Sequence, residues 1–127
     1  MPRMAKPEFT CTVGVQYLPD RSNPPDGPYA FAYTVKVRNT GDITAQLVAR
    51  HWMVTDADGL TEDVRGLAVV GHQPLLRPGE EFEYTSWTRI QTTVGSMHGT
   101  FMCMTEEARP FDAAVPEFSL IYPGALH

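Results

Sequence analysis

The side chains able to do chemistry in this chain are spread along it, and none falls into a spacing that catalysis demands. Gly95-Ser96-Met97-His98-Gly99 sets a serine two residues before a histidine. On an extended strand those side chains point the same way, about 7 Å apart, which is too long for the hydrogen bond that activates a nucleophilic serine. No Gly-x-Ser-x-Gly elbow is present. The histidines, His51, His72, His98 and His127, show neither the i, i+4 pairing nor the HExxH pattern of a helical zinc site. Each reads as a structural histidine, although His51 and His98 fall on strands and are placed to meet across a sheet. Asp56-Ala57-Asp58-Gly59, followed by Glu62 and Asp63, is acidic but has neither the ligand number nor the flanking helices of a calcium loop. A solvated turn is expected there. No catalytic residue and no metal ligand set is assigned, and no cofactor is expected.

Two constellations remain as binding candidates. In Gly66-Leu67-Ala68-Val69-Val70-Gly71 the outer glycines match a dinucleotide fingerprint, but Ala68 takes the place of the glycine that lets a backbone approach a pyrophosphate. Gln73-Pro74 follows where a helix N-terminus should bind the phosphates, so a bend at a sheet edge accounts better for Gly66 and Gly71. Arg50-His51-Trp52 places a cation and an indole on one face of a strand and an imidazole on the other. With Trp52 in the core, Arg50 either runs along the sheet to a loop carbonyl or contacts an anion or peptide. Trp87 breaks the parity of Phe82 and Tyr84, which predicts an exposed indole of the kind that anchors interfaces. The binding candidates are thus Arg50, His51, Trp87 and His98, with Gly66 and Gly71 in the glycine run.

The elements that carry these residues are strands. Phe9, Cys11, Val13, Val15 and Tyr17 alternate with Thr10, Thr12, Gly14 and Gln16, and the same period recurs from Tyr29 to Val37. Successive strand residues face opposite sides, so each run has one apolar and one polar face. From Thr44 to Thr55 apolar residues occupy both parities, which predicts a central strand or a bulge near Arg50-His51. Shorter strands are expected at Glu62–Arg65, Ala68–Gly71, Glu81–Trp87, Ser96–Met104, Phe111–Val115 and Phe118–Tyr122. One short helical turn is expected within Gly66–Pro74. Turn sequences at Asn39-Thr40-Gly41-Asp42, Asp56-Ala57-Asp58-Gly59 and Arg77-Pro78-Gly79-Glu80 separate the runs. Many short strands in 127 residues imply a single all-β domain, a two-sheet antiparallel sandwich of immunoglobulin or fibronectin III kind, ordered from about residue 8 to residue 123.

Bulk composition narrows the partners. The net charge is −5, which disfavours nonspecific binding to nucleic acid. No run approaches the roughly 18 apolar residues of a spanning helix, and the N-terminal stretch lacks the apolar region of a signal peptide. Cys11 and Cys103 form no metal spacing and read as reduced, buried thiols in a cytoplasmic protein.

The order of several segments is similar to that of bacterial ApaG (CorD) proteins. These are Tyr29-Ala30-Phe31-Ala32-Tyr33, Ala49-Arg50-His51-Trp52, Val64 to Pro74, Arg77-Pro78-Gly79-Glu80, Phe82-x-Tyr84-Thr85-Ser86, Gly95-Ser96-Met97-His98-Gly99 and Pro116 to His127. The resemblance implies a fibronectin III-like sandwich, a cytoplasmic location and an association with cobalt and magnesium resistance or efflux. It supplies no catalytic residues. Ala68 and Trp87 depart from it, both standing where the family pattern has glycine. The resulting expectation is a non-enzymatic domain that binds another protein, with a homodimer aided by Met102 and Met104 also in view. The alternative is a binder of a divalent cation or a pyrophosphate-containing nucleotide.

Overall fold

The alternating runs form two antiparallel sheets packed face to face. The computed structural model describes residues 5–126. Eight strands run in order: β1 (Phe9–Leu18), β2 (Tyr29–Asn39), β3 (Ala45–Asp56), β4 (Thr61–Leu67), β5 (Leu75–Leu76), β6 (Glu81–Ile90), β7 (Val94–Thr105) and β8 (Pro110–Ile121). One sheet has the order β1-β2-β6; the other has the order β4-β3-β7-β8, with β5 also pairing β3. No helix among the described residues is long and apolar enough to cross a membrane. The only helical segments described are short 3-10 turns at Pro19–Arg21 and Pro123–Leu126.

The inward faces supply the core. Phe31, Val35 and Val37 of β2 are fully buried and face Leu47 of β3, Met97 and Phe101 of β7, and Leu120 of β8. Each such aliphatic or aromatic side chain contributes about 1.5–3 kcal/mol by leaving water. Cys11 and Cys103 belong to this core as free thiols. Phe9 of β1 meets Phe111 of β8 edge to face at 5.4 Å and closes one long side of the sandwich. The opposite side lies between the free edges of β4 and β6.

Several boundaries differ from expectation, each for a physical reason. The phase change in β3 comes at Val48, where pairing with β7 slips between Leu47 and Ala49, rather than at Arg50-His51. The extra residue turns Arg50, Trp52 and Val54 toward the core, opposite Phe101, Gly99 and Met97. The expected strands Phe111–Val115 and Phe118–Tyr122 are one strand, β8. Pro116 stays within it because β8 is an edge strand and its register with β7 shifts between Met97 and Gly99, so the missing N–H breaks no ladder. Ala68–Gly71 is neither a strand nor a helical turn. Val69 and His72 form an isolated bridge around a two-residue turn, with Val69 N–H donating to His72 O and His72 N–H to Val69 O.

Asn39, whose burial the sequence did not reveal, fastens one end of the sandwich. Its side-chain amide donates to Ile43 O at 3.0 Å and Leu76 O at 2.9 Å, and its Oδ1 accepts from Gly41 N–H at 3.0 Å. The turn after β2 and strand β5 are thereby tied together.

Candidate functional site

The bulge at Val48 determines what Arg50 can reach. Pointed inward beside an edge strand, its guanidinium emerges between the sheets on the β4 side. There Arg50 Nη1 donates to Leu67 O and Ala68 O, both at 2.8 Å. The loop-carbonyl role expected of Arg50 is therefore present. Gly66, paired with Arg50 across the ladder, makes room for it: a Cβ there would come within 2.8–2.9 Å of the guanidinium atoms. Gly71 lies in the left-handed region at φ 79°, completing the turn that begins at Val70. Gly66 and Gly71 thus serve the packing of Arg50 and the hairpin tip, and no helix N-terminus faces them among the described residues. Ala68 and Val70 hold φ of 68° and 48°, a conformation that costs non-glycine residues, β-branched ones most.

Arg50 shares its position with a polar and aromatic cluster. Two adjoining cavities of about 160 and 180 Å³ open between β4 and β6, both lined by Tyr33, Arg50, Trp52 and Ser86. Tyr84 and Val70 complete one; Val54, Val64 and Met97 help line the other. Trp52 forms the floor, held edge to face by Tyr33 at 5.4 Å and Phe101 at 5.9 Å. Burial pushes the Tyr84 phenol well above the ordinary tyrosine value, with Tyr33 and Cys11 adding to the shift and Arg50 opposing it. Tyr33 is also raised by burial, against a hydrogen bond with Ser86 and the Arg50 charge. Both phenols are hydrogen-bonding groups and not bases at neutral pH. Trp52 was visible in the sequence as a neighbour of Arg50. Tyr33, Tyr84 and Ser86 were not recognised as lining a cleft, although Ser86 on the apolar parity of Phe82 and Tyr84 was a readable sign.

His51 and His98 do not join Arg50. His51 projects from the outer face of the larger sheet, where its Nε2 meets Asp63 Oδ1 at 2.7 Å. Arg65 Nε reaches the same carboxylate oxygen at 3.3 Å. Partial desolvation raises the Asp63 pKa, but hydrogen bonds from Arg65 and His51 and their charges outweigh it and hold the carboxyl below its usual value. His98, opposite Met53, is exposed on the same outer face, one ladder step diagonal from His51. Ser96 shares that face without facing His98. His72 lies beside Phe82, with ring centroids 5.6 Å apart and planes tilted by 54°, and His127 lies outside the described residues. No group of three or more His, Cys, Asp or Glu side chains suited to a metal ion occurs among the described residues. The acidic turn is stabilised by its own backbone, Asp56 Oδ1 accepting from the N–H groups of Asp58 at 2.9 Å and Leu60 at 3.0 Å.

Trp87 is where strand parity placed it, on the outer face of the three-stranded sheet. It is 45 % exposed, a large fraction for an indole, and stands on the free edge strand β6. The guanidinium carbons of Arg21 and Arg89 lie 5.1 and 5.4 Å from its ring centroid. The 3-10 turn after β1 delivers Arg21, and Arg89 follows two residues later on the same face of β6. Each cation–π contact contributes about 0.5–1 kcal/mol at an exposed site and holds the indole in place. Ala32 on the neighbouring strand leaves the ring uncovered.

Comparison with known proteins agrees with this architecture. The profile of the ApaG domain matches residues 19–105. Protein ApaG of Ralstonia nicotianae is 52 % identical over 124 residues, covering 98 % of this chain and 100 % of the relative. Protein ApaG of Pseudomonas aeruginosa PAO1 is 50 % identical over 115 residues, covering 91 % of each chain. The crystal structure of a Bordetella pertussis protein described as ApaA superposes with a TM-score of 0.89 at 46 % identity, covering 92 % of this chain and 95 % of its own.

Proposed function

The chain belongs to the ApaG domain family, and from that premise we propose that it is a non-enzymatic binding domain that recruits another protein through the β6 edge and Trp87. The observation that carries this reading is the exposed indole flanked by two arginines on an unpaired edge strand. An edge strand offers free backbone donors and acceptors to an incoming strand, and a rigid aromatic beside it supplies the anchor. Arg21 and Arg89 form a local basic patch on a chain of net charge −5, which favours a partner segment bearing carboxylates. The association with cobalt and magnesium resistance or efflux then runs through that partner, in the cytoplasm of a bacterium.

The test is affinity capture from a bacterial lysate by the immobilised domain. A specific protein is expected on the wild type and lost on Trp87→Ala, with the circular dichroism of the variant unchanged. Equal capture by both forms, or none by either, contradicts the proposal. A second reading, a homodimer, draws on the outer face of the larger sheet. Leu67, Leu75, Met102 and Met104 are all exposed there and occupy neighbouring ladder positions. Sedimentation at about 100 µM separates it from a monomer, a concentration at which a micromolar association is saturated.

A further inference from the structure

The cleft between β4 and β6 carries a donor set that the fold leaves unspent. Trp52 Nε1 and the Tyr84 hydroxyl are buried and have no hydrogen-bond partner. Trp52 is 2 % exposed and Tyr84 8 %, so water does not freely satisfy either group. A buried donor without a partner is costly, and folded proteins seldom keep one. Both side chains line a cavity with Arg50. Arg50 spends Nη1 on two carbonyls and forms no ion pair among the described residues, which leaves further N–H groups and a full positive charge between the sheets. Tyr33 and Ser86 add hydroxyls to the same wall.

We propose that this cleft binds the carboxylate of a small organic acid, with Arg50 supplying the charge and Trp52 Nε1–H and Tyr84 O–H completing the oxyanion's hydrogen bonds. The donors are one cation and several neutral groups. That balance suits a monoanion: a phosphate dianion would leave charge uncompensated in a partly buried site. The aromatic floor of Trp52 and Tyr33, with Val54 and Met97 alongside, accepts a short apolar tail. Cavities of about 160 and 180 Å³ hold a small acid and not a nucleotide. Trp87 also lines the smaller cavity, so the site adjoins the proposed protein-docking surface, and the two proposals are told apart by their readouts.

The chain has two tryptophans, so its ¹H–¹⁵N spectrum carries two indole signals, assigned with Trp87→Phe. Sodium acetate is titrated at constant ionic strength against sodium chloride, with acetamide as a neutral analogue and sodium phosphate as a competing anion. The Trp52 indole signal is expected to shift saturably with acetate in the millimolar range and to stay still with acetamide. Tyr84→Phe, which removes one hydroxyl and preserves the ring packing, is expected to raise the half-saturation concentration about tenfold, the worth of a hydrogen bond to a charged group. Arg50→Lys is expected to weaken binding further. A Trp52 signal unmoved by 100 mM acetate overturns the proposal, as does an equal response to acetamide, unchanged affinity in Tyr84→Phe, or tighter binding of phosphate than of acetate. Because the readout is Trp52 and not capture of a partner, either proposal can fail while the other stands.

Discussion

At the scale of single residues, most of the informative features are conflicts between a side chain and its backbone or surroundings. Ala68 holds a left-handed conformation that glycine adopts freely. Ala68→Gly is therefore expected to raise stability by up to about 1 kcal/mol, the left-handed penalty less the added freedom of the unfolded chain. Chemical denaturation measures it, and a loss of stability would show that the strain is not there. Asn39→Ala is expected to cost about 2–3 kcal/mol, because it strips the donor from two carbonyls, Ile43 O and Leu76 O, at a buried position. The thiols give a pH dependence. Burial pushes Cys11 up to about 11, and burial, with smaller effects of Cys11 and Asp112, pushes Cys103 up to about 12, from an ordinary value of 9.0. Folded pKa values raised in this way confer stability that is fully present below about 9 and is lost as pH rises toward the folded values. Each thiol is expected to steepen the loss by up to about 1.4 kcal/mol per pH unit within that window. Denaturation midpoints between pH 8 and pH 11 check this, and Cys103→Ala should flatten the alkaline slope even though it lowers stability at neutral pH.

At the scale of elements, strand alternation made β1, β2, β3, β6 and β7 legible, with errors confined to their ends. It also put Arg50 and Trp52 on one face, His51 on the other and Trp87 outside, all as found. What it could not supply was the exact bulge position, because Leu47, Val48 and Ala49 are all apolar and parity is silent within such a run. The segment from Gly66 to Pro74 was misread because its order comes from distant groups, the Arg50 guanidinium above all, and not from local propensity. Arg50→Met is expected to release Leu67 O and Ala68 O and so to loosen this loop, costing about 1.5–3 kcal/mol. Faster amide exchange at Ala68 and Val69, with β7 and β8 unchanged, is the expected signature; uniform change across the sandwich would mean that Arg50 supports the whole core.

At the scale of the whole molecule, function follows from which edges are left open. The β1–β8 side is closed by aromatic packing, while β4 and β6 border the cleft and β6 also carries Trp87. Sequence could name Trp87, since exposure follows from parity along one strand. It could not reveal the cleft, because Tyr33, Tyr84 and Ser86 come from two strands of one sheet and meet Arg50 of the other only through topology. The claim that binding takes place on the β6 edge is tested most directly by hydrogen–deuterium exchange on the domain with its captured partner. The expected result is slowed exchange in β6 and the Pro19–Arg21 turn, absent with Trp87→Ala. Protection confined to β8 or to the outer face of β3 and β7, with β6 exchanging as in the free domain, would contradict it.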